Sequence, residues 1–252
     1  MAKPARPAAP GAGATRRSKT VATPATAPAT ASPPAPAPRV IPSPPANLDS
    51  LVKRTTWSAN DTIHRVHRDE YDPDEFNPGP AGNARFSPIA NAGGASIPTI
   101  YGGATFECAA METVFHDVPH QPGLKSVAKR KLRNHQHSQL QANADLTLAD
   151  LTSKPLRKLG IARSDLIDSE KDVYPQTRPW AEAIHAQCPD VQGLLWVSRQ
   201  DDGAHAVILF GDRLPPDPLR SVAPSNDIVV DTDTYAALVD LAEVIGVKIT
   251  GK

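Results

Sequence analysis

Residues 193–210 of this 252-residue chain read GLLWVSRQDDGAHAVILF. Two continuous apolar runs, Gly193 to Val197 and Ala204 to Phe210, are rich in residues that favour β-strands. They enclose a short polar segment that ends in Asp-Asp-Gly. Strand-forming runs joined by a short glycine-containing segment are typical of a β-hairpin. The pattern therefore predicts two neighbouring antiparallel strands in this part of the chain.

Strand-like and helix-like patterns alternate irregularly along the rest of the folded region. Apolar runs rich in β-formers predict strands at Thr62–Val66, Pro98–Tyr101 and Leu146–Leu151, and an edge strand at Val247–Thr250. Helical spacing predicts helices at Ala104–Val118, ended by Pro119, at Pro179–Gln187 and at Thr232–Ile245. The segment Asp69–Ala95 is rich in Pro and Gly and predicts a loop. We expect an α+β fold with a mixed or antiparallel sheet and flanking helices.

The first 46 residues differ in composition from the rest. They hold 12 of the 27 prolines, six basic residues, no acid and no aromatic residue. Such a segment buries too little apolar surface to offset the entropy of ordering. We therefore expect residues 1–46 to be a disordered, Pro/Ala-rich basic arm, and residues 47–252 to form the folded domain. The arm suits a spacer better than an organelle transit peptide, because its prolines oppose an amphipathic helix.

The charge of the folded part limits its partners. Without the arm's six cations, 21 basic residues face 27 acidic ones, a net charge of −6. A mildly acidic body is poorly suited to bind nucleic acid directly. No run approaches the ~20 apolar residues of a membrane span. Cys108 and Cys188, the only cysteines, lie far apart and predict buried thiols in a reducing compartment. We expect no membrane contact and a cytoplasmic location.

Three residues are candidates for chemistry, each with an ordinary structural alternative. Arg65 lies in a strand pattern, where it is either a solvated side chain or a bidentate clamp for phosphate or carboxylate. Glu112 shares a helix face with Cys108 and Phe115, which predicts partial burial and therefore a partner or a function. Ser198 ends a strand, where it either satisfies a turn or hydrogen-bonds a substrate.

Other common sites are not supported by the spacing. His64 and His67 fall on opposite faces of a strand, and Pro119 separates His116 from His120, so we expect no metal. The chain has no G-x-G-x-x-G motif and no complete P-loop motif, G-x-x-x-x-G-K followed by Ser or Thr. A dinucleotide would therefore not be held in the Rossmann or P-loop manner.

Taken in order, several short motifs resemble the RES domain, a family named for its arginine, glutamate and serine. The resemblance spans about residues 57–215 and includes a segment before the last strand pair. Its motifs are Ile63-His64-Arg65-Val66-His67, Asn83-Ala84-Arg85-Phe86-Ser87, Ile100-Tyr101-Gly102, Ala109-Ala110-Met111-Glu112, Gln176 to Ala181 and Leu194 to Ser198. Arg65, Glu112 and Ser198 match the naming triad. Arg85 and Tyr101 match the family's second arginine and its pocket aromatic.

The resemblance implies a fold similar to ADP-ribosyltransferase toxins and a toxin of a bacterial toxin-antitoxin pair. The implied activity cleaves the nicotinamide-ribose bond of NAD and passes ADP-ribose to phosphate, water or a protein. NAD is then a substrate, no cofactor is needed, and a helical antitoxin is the expected protein partner. By this resemblance Arg65, Glu112 and Ser198 are catalytic, and Arg85 and Tyr101 bind NAD. Two alternatives stay open, a protein ADP-ribosyltransferase and a catalytically silent interaction protein that uses its basic arm.

Overall fold

The structure, a computed structural model, describes residues 40–251. The prediction of disorder over residues 1–39 therefore lies outside the described residues. Within the described part, the α-helices are α1 Leu48–Leu51, α2 Phe106–Thr113, α3 Ser153–Leu159, α4 Arg163–Leu166, α5 Tyr174–Gln187 and α6 Thr232–Val244. The strands are β1 Arg54–Trp57, β2 Thr62–Arg68, β3 Ile89–Ala90, β4 Ser96–Ile97, β5 Thr99–Gly103, β6 Lys125–Ala128, β7 His135–Ala142, β8 Leu146–Asp150, β9 Gly193–Val197, β10 His205–Phe210, β11 Leu219–Ser221, β12 Asn226–Asp227 and β13 Val247–Thr250.

One nine-stranded sheet dominates the fold. Its strand order is β1-β8-β9-β10-β5-β2-β7-β11, with β12 also paired to β7. The β8–β9 pair is parallel, and the other pairs of this sheet are antiparallel. The predicted hairpin is confirmed, since β9 pairs with β10 from Val197 opposite His205 to Gly193 opposite Leu209. The α+β class with a mixed sheet is confirmed.

The two strands of the hairpin are apolar, except for exposed His205, because the sheet has a core on each face. Side chains of alternate residues point to opposite faces of a strand. Leu194, Trp196 and Ile208 therefore join the cluster that includes residues of α1, α3 and α5. Leu195 and Val207 join the second cluster, on the other face. A third cluster packs β2 and α2 against α6 and β13.

Two helices start or end at residues other than those predicted from the sequence. Helix α2 begins where Thr105 Oγ1 accepts from the Cys108 amide at 3.0 Å, and it ends at Thr113 instead of Val118. The amide of Phe115 bonds to the carbonyl of Ala110, and its ring is buried, which turns the chain inward. Helix α5 begins at Tyr174, so the predicted start at Pro179 is wrong. Pro175 occupies the first turn, where its missing N–H costs nothing, and Pro179 lies inside the helix.

Part of the predicted arm, residues 40–46, lies among the described residues. Residues 40–46 have no regular structure but are fixed to α5. Ile41 is buried and its amide donates to Gln176 Oε1 at 3.0 Å. The Pro42 carbonyl accepts from Trp180 Nε1 at 2.8 Å. One large apolar residue and these hydrogen bonds order a segment that its proline content alone would leave extended.

None of the helices within residues 40–251 combines the length and the apolar character needed to cross a bilayer.

Candidate functional site

A cavity of about 410 Å³ opens between β2, β5, α2 and the loop of residues 77–87. Its volume lies within the range of small-molecule sites. Arg65, Arg85, Tyr101 and Glu112 all line it, so four of the five residues predicted from the sequence converge on one space. Ser198 is not among the lining residues. We call this space the Arg65–Glu112 cavity.

Helix α2 carries Glu112 to the cavity because Gly103 lets the helix lie close to β5. A Cβ on Gly103 would lie 2.9 Å from both Cβ and Sγ of Cys108. Any larger residue would push the helix away from the sheet. Burial raises the pKa of the Cys108 thiol to about 12, so this buried sulfur is protonated at neutral pH and is no nucleophile.

Arg65 uses only one nitrogen of its guanidinium for hydrogen bonds within the described residues. Its Nη1 donates to the carbonyl oxygens of Asp72 at 2.9 Å and Pro73 at 2.6 Å. Within residues 40–251, neither Nε nor Nη2 has a hydrogen-bond acceptor. These two nitrogens form the fork that binds carboxylate or phosphate bidentately. Burial lowers the pKa of Arg65 to about 10, which leaves the group charged at neutral pH.

Glu112 and Ser198 form a direct pair. Ser198 Oγ donates to Glu112 Oε1 at 2.6 Å and accepts from the amides of Gln200 and Asp201 at 3.0 and 3.1 Å. Ser198 is fully buried, and its one hydroxyl proton is used on Glu112. Ser198 therefore fixes the position of the Glu112 carboxylate through Oε1. The other carboxylate oxygen, Oε2, has no donor among the residues that the structure describes.

Tyr101 contributes an aromatic wall. Its hydroxyl accepts from the Phe86 amide at 2.9 Å, and its ring meets Trp196 edge to face with centroids 6.1 Å apart. Burial raises the pKa of the Tyr101 phenol, so it is neutral in the physiological range. Trp196 also lines the cavity. The two rings provide a rigid apolar surface for a planar ligand.

Arg85 uses most of its hydrogen-bond donors on other residues of the protein. Its Nη1 donates to Leu166 O, Ser169 O and Ser169 Oγ at 3.2, 3.1 and 2.7 Å, and its Nη2 donates to Tyr174 Oη at 3.2 Å. The guanidinium carbon also lies 4.8 Å from the centroid of the Tyr174 ring. Arg85 therefore fixes the segment around Ser169 and the start of α5. It adds positive charge to the cavity wall, but both terminal nitrogens are already engaged.

Sequence reasoning missed a further row of polar side chains on the cavity wall. His116 Nε2 lies 3.1 Å from Tyr174 Oη, and His116 Nδ1 lies 2.8 Å from Asp117 Oδ1. Lys171 pairs with Asp117 at 3.3 Å. All four residues line the cavity. The sequence could have linked only His116 to the site, because it lies four residues after Glu112. Tyr174 and Lys171 are distant from the other site residues in the sequence.

No group of three or more His, Cys, Asp or Glu side chains among residues 40–251 is placed to hold a metal ion. His116 bonds to Asp117 and Tyr174, and His120 is exposed. The cavity therefore offers an arginine fork, a carboxylate, aromatic surfaces and a histidine. These groups suit an anionic ligand that carries a planar ring.

Comparison with known proteins places this site in a family. The RES domain family matches residues 62–233, more than half of the chain. The fold is similar to the toxin chain in the crystal structure of the M. tuberculosis MbcT-MbcA toxin-antitoxin complex, with a TM-score of 0.53 and 16% sequence identity. That similarity covers 72% of this chain and 89% of the other. Comparison with curated protein sequences finds no match. The resemblance indicated by the motifs is confirmed, and the chain belongs to the RES domain family.

Proposed function

We propose that this protein is a toxin-like enzyme that cleaves the nicotinamide-ribose bond of NAD and passes ADP-ribose to phosphate or water. One observation carries the proposal. A single cavity is lined by Arg65, whose Nε and Nη2 have no acceptor within residues 40–251, and by Glu112, whose Oε2 has no donor there. The first suits a pyrophosphate and the second suits a developing positive charge on a sugar. Membership of the RES domain family supports the same interpretation.

Recognition of NAD would begin with Arg65. The two carbonyl oxygens that hold Nη1 fix the plane of the guanidinium, so little side-chain freedom is lost when an anion binds the other edge. The rings of Tyr101 and Trp196 would pack against a planar group of the dinucleotide. Arg85, whose terminal nitrogens bind the protein, would contribute mainly through its charge.

Bond cleavage would depend on Glu112. The nicotinamide of NAD is a cationic leaving group, so its departure needs no proton. The main demand is stabilisation of an oxocarbenium-like sugar, as in glycoside hydrolysis. A carboxylate at this position offsets the developing charge or holds the ribose hydroxyls. The 2.6 Å bond from Ser198 fixes the carboxylate before the substrate arrives. Ser198 is then a positioning residue for Glu112.

A toxin of this kind requires a protein partner that silences it. The structurally similar MbcT chain is a toxin in a complex with its antitoxin MbcA. We propose that an antitoxin, expected to be helical, also silences this chain by covering the cavity. NAD is a substrate in this scheme, and no resident cofactor is required.

Incubation of the purified chain with NAD tests the proposal. Chromatography is expected to show free nicotinamide, and mass spectrometry of the second product identifies the acceptor. ADP-ribose indicates water, ADP-ribose 1″-phosphate indicates phosphate, and a mass increase on an added protein indicates protein modification. A folded protein, free of any bound inhibitor, that releases no nicotinamide would contradict the proposal.

A further inference from the structure

Three side chains form a continuous hydrogen-bonded row from the cavity to solvent. Tyr174 lies at the start of α5 and is 2% exposed, with its hydroxyl next to His116. The His116 side chain is 18% exposed, and the side chain of Asp117, its other partner, is 75% exposed. All three residues line the Arg65–Glu112 cavity. Exposure therefore increases step by step along the row.

The chemistry of the partners sets the direction of each hydrogen bond. An ionised carboxylate only accepts, so His116 Nδ1 carries the proton that is shared with Asp117. The Nε2 atom of the neutral imidazole must then accept, and Tyr174 must donate to it. Arg85 Nη2 donates to the Tyr174 oxygen at 3.2 Å. The hydrogen bond to His116 also lowers the pKa of Asp117, which keeps this end ionised.

Tyr174 and His116 each have a charged neighbour that would stabilise the ion formed when a proton moves from Tyr174 to His116. The guanidinium of Arg85 would stabilise a transient phenolate on Tyr174. Asp117 would stabilise a transient imidazolium on His116, and Lys171 anchors Asp117 from the side of α5. Glu112 faces the same cavity. A histidine held by a carboxylate on one nitrogen and a hydroxyl on the other is the usual arrangement of a general base.

We propose that Tyr174, His116 and Asp117 form a proton relay that removes the proton of the acceptor molecule during cleavage of NAD. This inference rests on the proposed function. Tyr174 is the group that would contact the acceptor. His116 and Asp117 act through Tyr174 and are positioning residues.

The step balances for water as the acceptor. The C1′–N bond breaks and nicotinamide leaves with the electron pair, while the water oxygen forms a bond to C1′. The water O–H bond breaks and its proton passes to Tyr174 Oη, as the phenol proton passes to His116 Nε2. The imidazolium then releases its Nδ1 proton to solvent beside Asp117, and proton exchange with solvent returns the ring to the Nδ1 tautomer. NAD⁺ and water give ADP-ribose, nicotinamide and one proton. A phosphate dianion has no proton to lose at the attacking oxygen and needs no relay.

Two variants test the relay in phosphate-free buffer. We expect Tyr174→Phe and His116→Gln each to lower kcat for release of ADP-ribose by about tenfold or more, with KM within threefold, because general base catalysis typically contributes about 100-fold or more. The dependence of kcat on pH in His116→Gln should differ in shape from that of the wild type. His120→Gln, at an exposed position, is the control and should match the wild type.

The acceptor separates a relay from a structural role. With phosphate at pH 8, formation of ADP-ribose 1″-phosphate by both variants should fall less than formation of ADP-ribose. Equal losses with both acceptors together with a lower Tm would show that the two residues only support the fold. A kcat within threefold of the wild type for both variants, with an unchanged pH profile, would also overturn the proposal.

Nitrogen NMR of the histidine rings gives a readout that needs no turnover. The relay requires neutral His116 to carry its proton on Nδ1 in the wild type, and Asp117→Asn should disturb that preference. A proton on Nε2 would rule out transfer from Tyr174 even if the enzyme cleaves NAD. Absence of nicotinamide release by the wild type, with the Nδ1 tautomer present, would instead count against the proposed function alone.

Discussion

Glu107 and Glu112 lie on the same helix, but only Glu112 reaches the cavity. Glu107 is exposed, whereas Glu112 is half-buried and accepts from Ser198 at 2.6 Å. The sequence favoured Glu112 because Cys108 and Phe115 share its helix face, and both are buried. A carboxylate beside buried apolar residues needs a partner. The sequence therefore indicated that Glu112 had a partner.

The pair of glutamates provides a matched test. Glu112→Gln keeps the shape of the side chain and removes its charge, so kcat for nicotinamide release should fall by about 100-fold or more, as for loss of one strong transition-state contact. KM for NAD should change little. Glu107→Gln, on the same helix, should retain wild-type turnover. Comparable turnover in both variants, measured by chromatography, would remove Glu112 from the mechanism.

Ser198→Ala tests whether the serine acts through Glu112. A hydrogen bond to a charged group is worth about 1.5–3 kcal/mol, and about 1.4 kcal/mol corresponds to a factor of ten. We therefore expect kcat to fall by about 10- to 100-fold, with KM nearly unchanged. Ser221→Ala, at an exposed position of β11, is the control. A large rise in KM with kcat preserved would show that Ser198 instead binds NAD directly.

The roles of single residues were harder to predict than their identity. Sequence motifs selected Arg85, but its neighbours come from Leu166, Ser169 and Tyr174, which are 81 to 89 residues away. These contacts depend on how α4 and α5 pack, and no local pattern encodes that packing. Tyr174 was missed for the same reason. Residue type and motif order predict a site, whereas tertiary packing decides which donors remain free.

At the scale of elements, the hairpin of β9 and β10 depends on a close backbone approach. A Cβ on Gly193 would overlap the carbonyl oxygen of Ile208 and lie 3.0 Å from Leu209 Cα. These are backbone atoms of the partner strand and have little room to move. We expect Gly193→Ala to lower the free energy of unfolding by about 1–3 kcal/mol, as for other overpacking changes.

Gly203 in the same hairpin is the control for that change. A Cβ there would have its nearest contact at 3.4 Å, with the flexible Asp201 side chain. Urea denaturation of Gly203→Ala should give a free energy of unfolding close to that of the wild type. Equal stability of the two alanine variants would show that β10 can move away from β9 at no cost.

Strands β2 and β7 carry a histidine cluster that makes stability depend on pH. His64 Nδ1 lies 2.9 Å from His137 Nε2, with the rings stacked, and His67 Nε2 lies 2.7 Å from Ser138 Oγ. Burial lowers the pKa of all three histidines, that of His137 to about 4. The folded state therefore binds fewer protons than the unfolded state, in which histidine has a pKa of about 6.5.

The contribution of this cluster to the free energy of unfolding is complete above pH ~6.5. It is lost as the pH falls towards 4, because the histidines of the unfolded state take up protons at a higher pH than those of the folded state. We expect Tm to fall over this window, by on the order of 5 °C from this cluster. His137→Gln should make the decline shallower, and His205→Gln, at an exposed position, should not. A Tm that is constant from pH 6.5 to 4 in the wild type would contradict this account.

Element type was predicted better than element ends. The apolar runs of β9 and β10 and the helical spacing of α6 were sufficient because burial requires those patterns. Strand β7 was missed because His135–Ala142 consists mostly of polar residues whose partners are other polar side chains. Helix α2 stops early because Phe115 is drawn into the core, a tertiary effect. The predicted strand at Val247–Thr250 exists, in a separate parallel pair with β6.

At the scale of the whole molecule, the order of the short motifs along the chain was the sequence feature that indicated the fold. Arg65, Glu112 and Ser198 come from β2, from α2 and from the turn after β9, and the sheet order brings these elements together. The pattern of strand-like and helix-like segments gave the α+β class only in outline. The family resemblance supplied the expected arrangement, and the RES domain match confirms that membership.

The central claim is that one cavity binds NAD with its pyrophosphate on Arg65 and its nicotinamide ribose at residue 112. A crystal structure of Glu112→Gln soaked with NAD tests it most directly, since the variant should bind the dinucleotide without cleaving it. We predict phosphate oxygens within hydrogen-bonding distance of Arg65 Nε and Nη2, and the nicotinamide ribose beside Gln at position 112. NAD bound elsewhere on the molecule, or bound here with its ribose away from that residue, would contradict the account.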